Sequence, residues 1–219
     1  MDIFFHVYLK SDFSHILLSK FKKFKASGLY DRADKIYLTL FGDIEKHQEF
    51  LSDLKDLYRK IEYAVIANKE FHNEVDTLNF MLRKAELYEK NTPMLYVHTK
   101  GVSYANPNIK KNIDAWVRYL DLYTINKWEE CITALDNHET AGGFYLDGSF
   151  KHYQGNFWWA NSEYLKKLPR LNSFNIQEYG RGEFWVTSKA DNPFSFTGPT
   201  PLDLYQNYYC NDADFPEGW

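Results

Sequence analysis

The sequence predicts an α/β protein built on a mostly parallel central sheet flanked by helices. Three observations carry that expectation. Short apolar runs alternate with stretches of helical periodicity, strand then helix three times and then a fourth strand, as crossover connections require. The runs end abruptly in polar residues and glycine, as strands do where they border a site in an open α/β sheet. A chain of 219 residues with 44% hydrophobic content is long enough to bury one sizeable core.

Phe4 to Leu9 reads as the first strand. Ser11 or Ser14 is placed to cap the helix that follows, with Ile16, Leu17, Phe21 and Phe24 at helical spacing and Ser27-Gly28 as its stop. Lys35 to Phe41 reads as a second strand, ended by Gly42-Asp43. Ile44 to Lys60 reads as a helix, Tyr63 to Ala67 as a short third strand, and Asn73 to Glu89 as a helix with Val75, Leu78, Leu82 and Ala85 on its apolar stripe. Met94 to Val97 is the fourth strand. Beyond it the pattern predicts a loop over Tyr104 to Asn112 and one long helix from Ile113 to Leu135. A strand over Thr140 to Leu146, an aromatic segment from Phe150 to Tyr164, and an irregular proline-containing tail from Pro193 follow. No internal repeat or linker divides the chain, so one domain spanning 1–219 is expected.

A net charge of -4 argues against a general nucleic-acid partner. No apolar run approaches the roughly 20 residues of a membrane span. The start, Met1-Asp2-Ile3-Phe4, lacks the basic opening of a secretory signal. Two cysteines, Cys131 and Cys210, make no disulfide framework, which suits a reducing compartment; a cytoplasmic location is expected.

Four stretches carry candidate chemistry. His98, Thr99 and Lys100 leave the fourth strand, with Gly101 free to let backbone approach a ligand; the same residues also read as a polar surface turn. Glu74 and Asp76 open a helix, where acidic side chains suit the helix dipole and where the helix start borders the same site. His152 and Gly155-Asn156 precede Trp158 and Trp159, which a strand would point to opposite faces, one of them into a core and the other toward an interface or a pocket. Arg181 and Glu183 bracket Gly182: the carboxylate suits a general base or a hydroxyl acceptor, the arginine a phosphate, and the two together a structural ion pair. Asp212-Ala213-Asp214 is the only Asp-X-Asp, and it lies in the irregular tail without a strand before it. There is no phosphate-binding Walker loop, dinucleotide fingerprint or Gly-X-Ser-X-Gly elbow.

Taken in order, Ser27-Gly28-Leu29-Tyr30, Glu74 with Thr77-Leu78, Leu95 to Gly101, His152 with Gly155 to Ala160, and Arg181, Glu183 and Trp185 resemble a group of glycosyltransferase-like proteins. The group is expected to have the GT-A nucleotide-sugar transferase fold. In size and style the chain also resembles N-terminal transferase domains of multidomain chlorella-virus capsid-glycosylation proteins. The resemblance implies a Rossmann-like, mixed but mostly parallel sheet, with a nucleotide-binding half over about 1–103 and an acceptor-binding half over about 104–219. It implies transfer of a hexose or deoxyhexose from a UDP-sugar to a glycan or glycoprotein acceptor, usually with Mn²⁺ or Mg²⁺, in some cases within a longer chain that carries further domains.

Carried onto this chain, the resemblance makes Glu183 and Arg181 the catalytic pair. His98, Thr99, Lys100, Gly101, Glu74 and Asp76 become the donor and phosphate contacts, and His152, Asn156, Trp158 and Trp159 the sugar and acceptor contacts. Most GT-A relatives place Asp-X-Asp where this chain has His98-Thr99-Lys100. That departure leaves His98 as the one expected metal ligand, or Lys100 as a direct counter-charge to phosphate. The alternatives are a non-catalytic carbohydrate-binding module, which would use the tryptophans without a nucleotide, and a transferase fold retained as a scaffold.

Overall fold

The computed structural model describes residues 1–10, 12–67, 74–103, 106–171, 181–199, 203–217 and 219, with the backbone alone for residues 65–67 and 181. Ser11, Asn73 and Tyr104, at which the sequence pattern places a cap, a helix start and a loop start, lie outside the described residues.

The first half follows the expected alternation. Strand β1 (Asp2–Leu9) leads through α1 (Phe13–Ala26) and the single turn α2 (Leu29–Arg32) to β2 (Lys35–Gly42). Helix α3 (Gln48–Leu57), entered by a 3₁₀ turn at Glu45–His47, leads to β3 (Ile61–Ala67). Helix α4 (Glu74–Leu87) leads to β4 (Pro93–His98). β1 pairs in parallel with β2 on one side and with β4 on the other, and β2 pairs in parallel with β3.

The second half is more broken than its periodicity suggests. Helix α5 (Pro107–Asp121) starts inside the expected loop, because Pro107 suits a first helical position and the Asn106 side chain caps the amide of Asn108. The helix then widens into a π-turn over Leu122–Asn126, in which the Lys127 amide reaches back to the Leu122 carbonyl, before α6 (Trp128–Ala134). The expected strand over Thr140 to Leu146 is two short ones, β5 (Thr140–Gly142) and β6 (Tyr145–Leu146), separated by Phe144 in a left-handed conformation. The aromatic segment divides likewise into β7 (His152–Tyr153) and β8 (Trp158–Asn161). Then come α7 (Ser162–Leu165), α8 (Arg181–Trp185) and β9 (Phe194–Ser195).

The main sheet has seven strands in the order β3-β2-β1-β4-β8-β5-β9, with β8 antiparallel to both neighbours; β6 and β7 form a separate hairpin. This is a mixed, mostly parallel, Rossmann-like α/β sheet with helices on both faces. Side chains alternate between two cores, as strand geometry requires. Phe5, Leu95 and Trp159 face the core that includes α1 and α5, whereas Phe4, Tyr96 and Trp158 face the core under α4. The two tryptophans therefore do point to opposite faces, and both have no exposed surface. On the first face, buried Lys20 of α1 is bonded to buried Asp121 at the end of α5, and Lys23 joins the same carboxylate at 2.7 Å.

Candidate functional site

The sheet has one switch point that its connectivity makes unavoidable. From β1 the chain winds outward to β2 and β3, then crosses back to β4 on the other side of β1. Connections leave β1 and β4 in opposite directions, so a crevice opens beyond their carboxyl ends, where ligands bind in open α/β sheets. His6 of β1 and His98 of β4 stand side by side there in register, and the first turn of α4 delivers Glu74 to them.

Glu74 is the hub. Its Oε2 accepts from the Tyr96 hydroxyl at 2.7 Å and from Asn156 Nδ2 at 2.5 Å. Asn156 Oδ1 accepts from the Trp158 indole at 2.8 Å, which fixes the amide so that its nitrogen faces Glu74. Glu74 Oε1 lies 3.7 Å from His98 Nδ1. The other ring nitrogen, His98 Nε2, is 3.0 Å from the Gly155 carbonyl. A carbonyl only accepts, so Nε2 carries the hydrogen, and in the neutral ring the bare Nδ1 lone pair confronts a carboxylate oxygen. Two facing acceptors at that distance are relieved by a proton shared between them, or by a donor bound to either one.

Gly155 and Asn156 both have positive φ, 92° and 55°. A Cβ at Gly155 would stand 2.6 Å from Leu120 and 3.2 Å from Trp116, so the bend that presents the carbonyl to His98 tolerates only glycine. Beneath His6, its Nδ1 lies 2.8 Å from the Thr77 hydroxyl, which in turn lies 2.5 Å from that of Thr39. Thr99 is buried and structural: its hydroxyl accepts from the Tyr8 amide and its own amide donates to the His6 carbonyl, both at 3.0 Å.

Lys100 and Glu183 complete the crevice. The Lys100 ammonium stands 4.0 Å over the Trp116 ring and 3.4 Å from the Tyr205 hydroxyl. Helix α8 docks against the start of α4, where a Cβ at Gly182 would lie 3.4 Å from the Glu74 Cβ, and this brings Glu183 to the same end. The two carboxylates are tuned apart. Burial raises the Glu183 pKa, the Glu74 charge raises it further, and Lys100 and His152 oppose only in part. Burial also pushes Glu74 upward, but His98, His6 and the bonds from Tyr96 and Asn156 outweigh it and hold Glu74 below the ordinary carboxylate value. Burial lowers the His98 pKa, against Glu74, which favours the neutral ring. Burial lowers Lys100 as well, with Glu183 and Glu74 opposing.

The structure thus gathers His98, Lys100, Glu74, Asn156 and Glu183 around the switch point, with His152 at its edge, where the ring packs on Phe184. Asp76 stands in the first turn of α4. Gly101 has φ 91°, and its missing side chain is filled by Ile113, 2.8 Å from where a Cβ would be; its freedom serves the turn and this packing. Trp158 and Trp159 are wholly inside the two cores and present no ring face to a ligand; their indoles bond Asn156 and the Thr124 carbonyl. The side chain of Arg181 lies outside the described residues. In the Asp-X-Asp of the tail, Asp212 pairs with Arg118 at 2.6 Å and Asp214 accepts from Tyr119 at 2.7 Å, so both carboxylates fasten the tail to α5. Sequence reasoning missed His6, Tyr96, Trp116 and Tyr205. A histidine inside the otherwise apolar run of β1 was the available signal for the first.

The chain belongs to the family described as Domain of unknown function (DUF8361), whose model matches residues 4–195. No curated protein matches it in sequence. Among solved structures it is similar to 4-diphosphocytidyl-2C-methyl-D-erythritol synthase from Anaerococcus prevotii DSM 20548, at 9% identity and a TM-score of 0.43, covering 97% of this chain and 94% of that one. A second 4-diphosphocytidyl-2C-methyl-D-erythritol synthase is similar at 8% identity and a TM-score of 0.44, with the same coverage. Among the described residues no helix is long and apolar enough to cross a membrane.

Proposed function

We propose that this protein is a glycosyltransferase that moves a hexose or deoxyhexose from a UDP-sugar to a glycan or glycoprotein hydroxyl. The observation that carries the reading is the pair of carboxylates, Glu74 and Glu183, brought with Lys100 to the switch point, where burial raises the Glu183 pKa while His98, His6, Tyr96 and Asn156 hold that of Glu74 low. Environments that push two titratable groups apart assign a proton acceptor and a fixed charge.

In this reading Glu183 is the base. It takes the proton of the acceptor hydroxyl as that oxygen bonds to the sugar's anomeric carbon, and the bond from that carbon to the diphosphate oxygen breaks. UDP leaves with the electron pair, and Lys100 offsets its growing charge. Glu74 stays ionised and orients His98, whose bare Nδ1 accepts a hydroxyl of the sugar. Asn156 shapes the pocket by fixing Glu74, and His152 flanks Glu183.

The resemblance also implies Mn²⁺ or Mg²⁺, ions that favour several oxygen ligands. Among the described residues no group of three His, Cys, Asp or Glu side chains is placed to hold one. His98 Nε2 is committed to the Gly155 carbonyl, and Glu74 Oε2 to Tyr96 and Asn156. Only His98 Nδ1 and Glu74 Oε1 stay uncommitted, two ligands where these ions favour several, so these residues do not by themselves fit a resident divalent ion, and no step is assigned to one. The carbohydrate-module alternative assigned its platform to Trp158 and Trp159, and neither has exposed surface.

Calorimetric titration with UDP, GDP and CMP, each with EDTA and with Mn²⁺, tests the reading. UDP is expected to bind more tightly than the other two. Absence of UDP binding under every condition overturns it.

A further inference from the structure

Away from these residues, an open groove of about 480 Å³ lies between α5 and the C-terminal segment. It falls in the size range of small-ligand sites. Its lining concentrates positive charge in a chain whose net charge is -4: Lys110, Lys111 and Arg118 against Asp114. Lys110 is paired with Asp114 at 3.1 Å. Lys111 has no carboxylate partner among the described residues, and its ammonium stands 4.3 Å over the ring of Tyr208. Arg118 spends Nη1 on Asp212 and Cys210 and Nη2 on the Trp219 carbonyl, but its Nε is buried without a hydrogen-bond partner. A buried donor left unpaired is costly, and a small shift of the partly exposed side chain toward an anionic oxygen in the groove would relieve that cost. Among these cations Tyr208 lines the groove and is 52% exposed, a large aromatic side chain of the kind that sugar rings stack on.

We propose that this groove binds an anionic saccharide, a sugar ring carrying a phosphate or a carboxylate. The ring lies against Tyr208, and its charged group is held by Lys111 and Arg118. The groove is independent of the transferase reading, although both lie along one seam: Tyr205, three residues before Tyr208, is the tail residue that reaches Lys100.

The molecule contains its own reporter. Cys210 lines the groove, whereas Cys131 is fully buried, so alkylation by the neutral reagent iodoacetamide, followed by intact mass, reads Cys210. Glucose 6-phosphate or glucuronate is expected to slow it roughly fivefold at about 10 mM, as occupancy by a ligand of millimolar affinity requires. Glucose and sodium chloride of matched ionic strength are expected to leave the rate unchanged, and Lys111→Glu to remove the protection. Protection by the phosphate sugar alone or the uronate alone identifies the charged group and supports the site. Equal protection by inorganic phosphate reveals a bare anion site and overturns the saccharide. Stronger protection by an oligoglutamate assigns the groove to an acidic peptide and overturns it too, as does no protection by any of the probes.

Discussion

The Glu74 carboxylate and the His98 imidazole face each other at 3.7 Å, Oε1 to Nδ1, although they come from the first turn of a helix and the last residue of a strand. Each is held from behind, Glu74 by Tyr96 and Asn156 and His98 by the Gly155 carbonyl. The carboxylate charge is what raises the His98 pKa against burial. Glu74→Gln keeps the shape and removes the charge, so the His98 midpoint, already below 6.5, is expected to fall further. A ¹H–¹⁵N NMR titration of the imidazole reads this directly; an unchanged midpoint would mean that the two groups do not interact.

Gly155→Ala is expected to disturb the same pair from the opposite side. The added methyl meets Leu120 at 2.6 Å and forces a positive-φ position onto an L side chain. Overpacking of this kind costs about 1–3 kcal/mol. Thermal unfolding should show the loss. The His98 imidazole resonance should move as well, because the carbonyl it bonds is carried by the displaced residue.

The parallel half of the fold was legible because each of its strands is an apolar run and each helix an uninterrupted stripe. The end of β4 at His98-Thr99-Lys100 could be read for the same reason. The second half was not. One residue of extra winding at Leu122–Asn126 hardly disturbs a helical apolar pattern, so α5, the π-turn and α6 read as one helix. Strands of two to four residues, such as β7 and β8, are too short to show alternation. Glu74 was visible as a helix-start acid, but its partners Tyr96 and Asn156 lie 22 and 82 residues away, and only the sheet order brings them to it. Trp158 and Trp159 stood out by rarity, and rarity does not separate a platform from a core.

The buried Lys20–Asp121–Lys23 cluster sets a stability prediction. Asp121→Asn leaves two cations without their counter-charge, one of them wholly buried, and removal of one partner of a buried pair costs about 3–5 kcal/mol. For a chain of this length each kcal/mol lowers Tm by roughly 2–4 °C. Lys20→Met should be far milder. It removes an ammonium whose pKa burial already pushes down to about 8, and it leaves Asp121 paired with Lys23. Comparable losses in both variants would show that Asp121 gains little from Lys23.

Lys100→Met tests the counter-charge. The side chain stays unbranched and close to the length of lysine but loses the ammonium and the charge that stands over the Trp116 ring. UDP affinity is expected to fall roughly tenfold to a hundredfold, the worth of a hydrogen bond to a charged group. EDTA is expected to leave wild-type UDP affinity unchanged. If EDTA abolishes binding while Lys100→Met does not, a divalent ion rather than the lysine meets the diphosphate.

Glu183→Gln tests the base through its pH dependence. A base acts only when deprotonated, so kcat/KM should rise with pH through the Glu183 midpoint. Burial and the neighbouring Glu74 charge place that midpoint above the ordinary 4.5. The fall on the alkaline side belongs to Lys100, which holds the diphosphate only when protonated and whose midpoint burial places below 10.5. The glutamine variant is expected to lose the acid limb and to slow transfer roughly 10²- to 10⁴-fold, the usual contribution of a positioned base, with UDP affinity retained. Steady-state kinetics across pH and calorimetry on the same preparation separate the two effects. A variant that keeps the wild-type rate and the wild-type acid limb would assign the proton transfer to another group, with His98 Nδ1 the next candidate because its lone pair is already free in the neutral ring.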